Sequence, residues 1–129
     1  MFKNFKNKKV LVTGHTGFKG SWLCVWLIML GANVVGLSNN LIPERRNLFK
    51  NLKLKKNFKI DLCNTKKVSN IIKEFKPDFI FHLAAQSLVS KSYNDPLLTF
   101  NTNLIGTLNI LLAIRNLNTK STTIFITSD

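Results

Sequence analysis

The chain has 129 residues and a mass of 14.7 kDa, enough for one compact domain. Its 45% hydrophobic and 19% charged residues exclude a disordered chain, a collagen and a coiled coil, while two cysteines without a C-x-x-C argue against a disulfide-stapled secreted domain or a zinc module. Lys and Arg number 19 against 6 Asp and Glu, a net charge of +13, but the lysines are scattered and read as a solvated basic surface rather than a nucleic-acid stripe.

In chain order, Lys9 to Thr13 is a β-branched run without a polar face, which predicts a strand buried on both sides of a parallel sheet. A glycine loop follows. Ser21 to Leu30 predicts a helix ended by Gly31. That run is about ten residues long, where a membrane span needs about 20, so neither a targeting signal nor a membrane partner is expected. Asn33 to Ser38 predicts a second strand, and Phe58 to Ile60 a third ending at Asp61. Residues 39–57 form a polar, basic connection with no legible structure. Thr65 to Phe75 predicts a helix capped by Asn64 or Thr65 and broken by Lys76-Pro77-Asp78. Phe79 to Leu83 is a fourth apolar run. Asp95-Pro96 opens a helix to about Asn116, with Leu97, Phe100, Leu104, Ile105, Leu108, Leu111 and Leu112 on one stripe. Thr123 to Thr127 predicts a fifth strand. Alternating helices and continuous apolar strands predict an α/β fold, a doubly wound parallel sheet, as one domain over residues 1–129.

The sharpest feature is Thr13-Gly14-His15-Thr16-Gly17-Phe18-Lys19-Gly20, three glycines between a buried strand and a helix. Glycine suits those places because the turn is tight, a pyrophosphate must approach the backbone, and the helix must pack close to the strand. The helix-start N–H groups then face the phosphates. A P-loop needs its lysine after the last glycine, whereas Lys19 precedes Gly20. The motif therefore points to a dinucleotide site in a Rossmann-type fold.

These spacings resemble the extended short-chain dehydrogenase/reductase superfamily, with its T-G-x-x-G-x-x-G motif. The run from Thr13 through Ser21-Trp22-Leu23 is similar to the opening of the CDP-glucose 4,6-dehydratases. Phe81-His82-Leu83-Ala84-Ala85-Gln86 resembles their fourth-strand motif. Ser92-Tyr93, Pro96, Thr102-Asn103 and Gly106-Thr107 resemble their following helix, and Thr127-Ser128-Asp129 the start of their catalytic strand-end motif.

The resemblance implies NAD as cofactor and a nucleotide sugar, CDP-glucose, as substrate. Hydride leaves C4 of the sugar, water is lost across C5 and C6, and the hydride returns at C6. Thr13, Gly14, Thr16, Gly17, Phe18 and Gly20 would hold the cofactor; Asp61 and Leu62 would meet its adenine. Ala84, Ala85 and Gln86 would line the nicotinamide side, with Gln86 and Asn103 also at the substrate. Ser128 would hydrogen-bond the 4-hydroxyl, and Asp129 would protonate the leaving 6-hydroxyl. No metal is implied. The long helix would pair two subunits, and the setting would be the cytoplasm.

Plainer readings stand beside these. Asp61 also suits a turn cap, His82 and Cys24 suit core positions, Tyr93 and the Trp22–Trp26 pair suit packing, and Asp129 suits a frayed carboxylate. Ser38-Asn39-Asn40 stands where NAD sites often carry an acid. Asparagine also bonds a ribose hydroxyl, and Arg45 or Arg46 would tolerate a 2′-phosphate, so NADP stays open. Ser87 and Ser90 replace the family's proline and arginine. The superfamily's Y-x-x-x-K pair is not within these residues, since Tyr93 has Leu97 four positions on. The chain is thus expected to be a cofactor-binding half, inactive alone, with an exposed fifth-strand edge and an exposed helix stripe that make it self-associate.

Overall fold

The computed structural model describes residues 3–39 and 54–127; Asn40, Arg45, Arg46, Ser128 and Asp129 lie outside them. Among the described residues, five strands form one parallel sheet: β1 (Lys9–Thr13), β2 (Asn33–Ser38), β3 (Lys56–Lys59), β4 (Phe79–His82) and β5 (Thr122–Phe125). Their spatial order is β3-β2-β1-β4-β5. The helices are α1 (Phe18–Met29), α2 (Thr65–Phe75), the short α3 (Val89–Asn94) and the long α4 (Pro96–Arg115).

β1 is central because it is apolar on both faces. Val10 pairs with Val34 of β2 and with Phe79 of β4. Val10, Val12 and Val34 face α1, where they bury Cys24 and Leu27. Leu11, Val35, Leu37, Ile60 and Ile80 face the other way, against Val68 and Ile72 of α2 and Ile110 and Ala113 of α4. Each fully buried aliphatic side chain here contributes roughly 1.5–3 kcal/mol. Phe5 closes the α1 face over β4, its ring 5.0 Å from Phe79. Cys24 is core, and burial pushes its thiol up to about 12.

Asn64 caps α2 by accepting the Lys67 amide, and Lys76 ends it in a left-handed conformation, φ 49°. Asp95 accepts the Leu98 amide at the start of α4, with Pro96 in the first turn. α1 begins three residues earlier than its apolar run, at Phe18, because Gly17 rather than Ser21 ends the loop. α3 has no apolar period, so its sequence does not announce it.

Two packing expectations are overturned. Trp22 and Trp26 are 58% and 53% exposed and lie on the outer face of α1, not in the core. α1 is apolar all round, and the sheet takes only the face with Gly20, Cys24 and Leu27. Tyr93 does not pack either, at 82% exposed.

α4 meets the sheet through Gly106, Asn109, Ile110 and Ala113. Its stripe of Leu97, Phe100, Leu104, Leu108 and Leu111 is exposed, in line with the sequence expectation. By length and composition this helix is apolar enough to cross a membrane; here it forms a layer of the α/β fold.

Candidate functional site

The chain runs outward from β1 to β2 and β3, then returns to the other side as β4. The strand order therefore reverses between β1 and β4, where a crevice opens beyond the carboxyl ends of the strands. A cleft of about 520 Å³ lies there. Its walls come from the β1–α1 loop, the end of β2, the β3–α2 turn, the segment after β4, and Thr102, Ile126 and Thr127.

Each glycine of the loop has a separate task. Gly14 turns the chain at φ +70°, and a Cβ there would lie 2.8 Å from the Ala84 nitrogen. Gly20 lets α1 rest on the loop, because a Cβ would collide with the Gly14 carbonyl. Gly17 is the N-cap of α1, in extended backbone that any residue adopts (φ −70°, ψ 170°). A Cβ at Gly17 would touch only the Gly14 oxygen, at 3.2 Å. The space it leaves is the cleft. No side chain caps α1, and the N–H groups of a helix's first turn point out of its start. This donor set fits an anionic pyrophosphate laid over the loop.

Loop and β2 are tied together. The hydroxyls of Thr16 and Ser38 are 2.6 Å apart and buried. The His15 ring is fully buried over Gly36, where a Cβ would come within 2.5 Å of it. Burial lowers the His15 pKa, against hydrogen bonds with the Leu37 backbone and the Asn57 side chain. His15 is thus a packed loop residue.

His82 holds the other wall. Thr107 has one proton and donates it to the Asn103 carbonyl at 2.6 Å. The imidazole Nε2–H therefore donates to Thr107 at 2.9 Å. Nδ1 then accepts from Thr13 at 2.7 Å, while Thr13 accepts the Ala84 amide at 3.2 Å. Burial lowers the His82 pKa to about 4, so the ring is neutral near pH 7 and fixed in one tautomer. The chain of bonds sets where Ala84 stands.

Asn103 fixes the next step. Its Oδ1 accepts the Gln86 amide at 2.7 Å, and its Nδ2 donates to the Gln86 carbonyl at 3.0 Å. The Gln86 side chain donates to the Leu88 carbonyl and Thr99 hydroxyl and accepts the Leu88 amide. Asn103 lies in a π turn, Asn101–Ile105, within α4; such turns recur at functional sites.

The family model described as GDP-mannose 4,6-dehydratase matches residues 11–129. The chain belongs to that family. It is 42% identical over 130 residues to the CDP-glucose 4,6-dehydratase of Salmonella typhimurium, covering 98% of this chain and 36% of that protein. The structure resembles a UDP-glucose 4-epimerase of Stenotrophomonas maltophila solved with NAD and formylated UDP-arabinopyranose, with TM-score 0.79 and 25% identity over 92% of this chain and 36% of that one. It also resembles the UDP-glucose 4-epimerase of Thermus thermophilus in complex with NAD, with TM-score 0.72 and 40% identity over 82% of this chain and 33% of that one. The chain spans about a third of the length of these relatives.

The family match begins inside β1 and runs through every element of the cleft. Gly14, Thr16, Gly17, Phe18, Gly20, Asp61, Leu62, Ala84 and Ala85 line it. Asp61 also accepts the Cys63 amide through Oδ1 at 2.9 Å, as a turn cap does. Thr13, Gln86 and Asn103 do not line it. Thr13 is fully buried, and the other two are joined to each other. Asn109 escapes a sequence reading: it donates to the Leu62 carbonyl at 2.8 Å and so holds the β3–α2 turn. A polar residue inside an apolar helical run is the one signal that marks it.

Proposed function

We propose that this chain forms the cofactor-binding part of a nucleotide-sugar 4,6-dehydratase, taking CDP-glucose to its 4-keto-6-deoxy product with NAD. The observation that carries the reading is the glycine loop at the strand-order reversal, opening on a cleft at a helix start that no side chain caps. Similarity to a CDP-glucose 4,6-dehydratase and to epimerases solved with NAD supports it. When bound, NAD supplies the hydride acceptor and donor.

This chain's residues then divide the work. Gly14, Gly17 and the first turn of α1 hold the pyrophosphate. Asp61 and Leu62 meet the adenine, and Ala84 and Ala85 give the nicotinamide a wall without polar side chains. Thr13, His82, Thr107 and Asn103 set the position of that wall, with Gln86 beside the sugar. Ser128 and Asp129 follow Thr127 in sequence, and Thr127 lines the cleft. Ser128 holds the sugar's 4-hydroxyl, and Asp129 is the general acid for the 6-hydroxyl that leaves as water. The protein works in the cytoplasm as a dimer paired through the exposed stripe of α4.

A second reading, a nucleotide-sugar 4-epimerase, is favoured by the epimerases among the similar structures. This chain is expected to be inactive alone, so mass spectrometry of CDP-glucose incubated with NAD and a full-length protein that carries this chain as its cofactor-binding part separates the two. Loss of one water supports dehydration. An unchanged mass with a changed sugar supports epimerisation. Neither change leaves a dinucleotide-binding module without this chemistry.

A further inference from the structure

β3 stands at one end of the strand order, so its outer edge pairs with no strand among the described residues. The chain enters β3 on the α1 side, where Leu54 packs against the core of Val10, Cys24 and Val34. On the opposite side Phe58 and Ile60 face α2. An open groove of about 310 Å³ lies between β3 and α2, with Lys59, Lys67 and Asn70 around an apolar floor of Phe58, Ile60 and Ile71. It shares Ile60 alone with the dinucleotide cleft. Lysines that are scattered in sequence gather at this end of the sheet. Lys55, Lys56 and Lys59 are exposed on or beside β3, and Lys66 and Lys67 are exposed in the first turn of α2. Among the described residues, none of the five is in an ion pair. Lys66 and Lys67 work against α2 itself, because cations at a helix start oppose its dipole. Their charge is available to something outside the fold.

Lysines on a sheet edge keep like chains from pairing with it. At a net charge of +13, a second copy of this chain is kept off this edge, and an acidic strand is drawn to it. We propose that β3 and the groove beside it dock an extended acidic segment of a partner protein, added to the sheet as a further strand. Main-chain hydrogen bonds to the edge hold the segment, and its alternate side chains give selectivity. Successive side chains of a strand point to opposite faces. One set, apolar, covers Phe58, Ile60 and Ile71. The other carries carboxylates to the lysines. Alternating acidic and apolar residues have that pattern.

Fluorescence anisotropy of a labelled peptide of alternating glutamate and valine, titrated with the full chain, tests the proposal. Lys59→Glu combined with Lys67→Glu should weaken binding by about tenfold or more. Lys91→Glu combined with Lys120→Glu makes the same charge change on exposed residues of α3 and of the segment before β5, and should weaken it by less than about threefold. Circular dichroism is the control for folding. A backbone N-methylated form of the peptide keeps its charges and lacks its donors. It should bind the unaltered protein about tenfold more weakly, a comparison that needs no variant. Saturating NAD should leave the peptide's affinity unchanged. No binding of the peptide overturns the proposal, as does an equal loss in both double variants. Equal affinity of the N-methylated form denies the strand pairing, and competition by NAD places the peptide in the cleft; either result overturns it. An oligothymidylate of equal charge that binds more tightly through Lys59 and Lys67 assigns the patch to nucleic acid and overturns it too.

Discussion

Burial pushes the His82 imidazole down to about 4 from its ordinary 6.5, and hydroxyls meet both ring nitrogens. Between those two values the unfolded chain binds a proton that the folded chain refuses. Stability contributed by His82 is therefore complete above about pH 6.5 and is lost as pH falls toward 4. His15, also lowered by burial, adds in the same direction. Denaturant midpoints measured across that window should fall with pH, and nitrogen NMR should show the His82 ring as the Nε2–H tautomer down to about pH 5. Asn103→Leu removes both bonds to Gln86 and should loosen the Ala84–Ser87 wall. We expect NAD affinity to drop by about tenfold with the fold retained, at roughly 1–3 kcal/mol of stability; unchanged affinity would deny Asn103 its positioning role. The loop glycines are legible because each answers a local backbone demand. Asn109 is not, and neither are the bonds that Asn103 and Thr107 make, because the partners lie on other strands and turns. Only the rotation of α4 against the sheet decides which backbone groups they reach.

Most elements follow from local pattern. β1, β2 and α2 occur at their expected bounds, since an apolar run or a cap residue marks each end. β3 and β5 each lie a residue or two earlier, because pairing with a neighbour, rather than apolarity, fixes where they start. Exposure is where pattern misleads. α1 and α4 carry apolar residues on more than one face, and a single sheet covers one face of each. On α4 the uncovered side is the stripe proposed to pair two copies. Leu104 is 57% exposed, so Leu104→Glu costs the isolated fold little while placing a charge in that interface. In sedimentation the unaltered protein should self-associate at tens of micromolar, about the range where exposed apolar surface recruits partners. Leu104→Glu should be monomeric with NAD binding intact. A monomeric unaltered protein would contradict the pairing.

For the molecule as a whole, the strand order places one reversal point in the sheet, and the loop, the β2 corner and the β4 wall all meet there. The positive charge has no such focus in sequence, and its effect is on encounter: NAD binding should weaken as salt rises. The central claim is that the Gly17 loop cradles a dinucleotide pyrophosphate. Gly17→Val tests it most directly. The Gly17 backbone is one that any residue adopts, and a valine Cβ there meets the Gly14 carbonyl oxygen at 3.2 Å, a tight contact that the loop relieves by a shift of a few tenths of an ångström. The valine methyl groups therefore enter the cleft rather than the core. Calorimetry should show NAD bound by the unaltered protein and not by Gly17→Val, with the two circular dichroism spectra superimposable. Equal NAD affinity in a folded Gly17→Val protein would contradict the account.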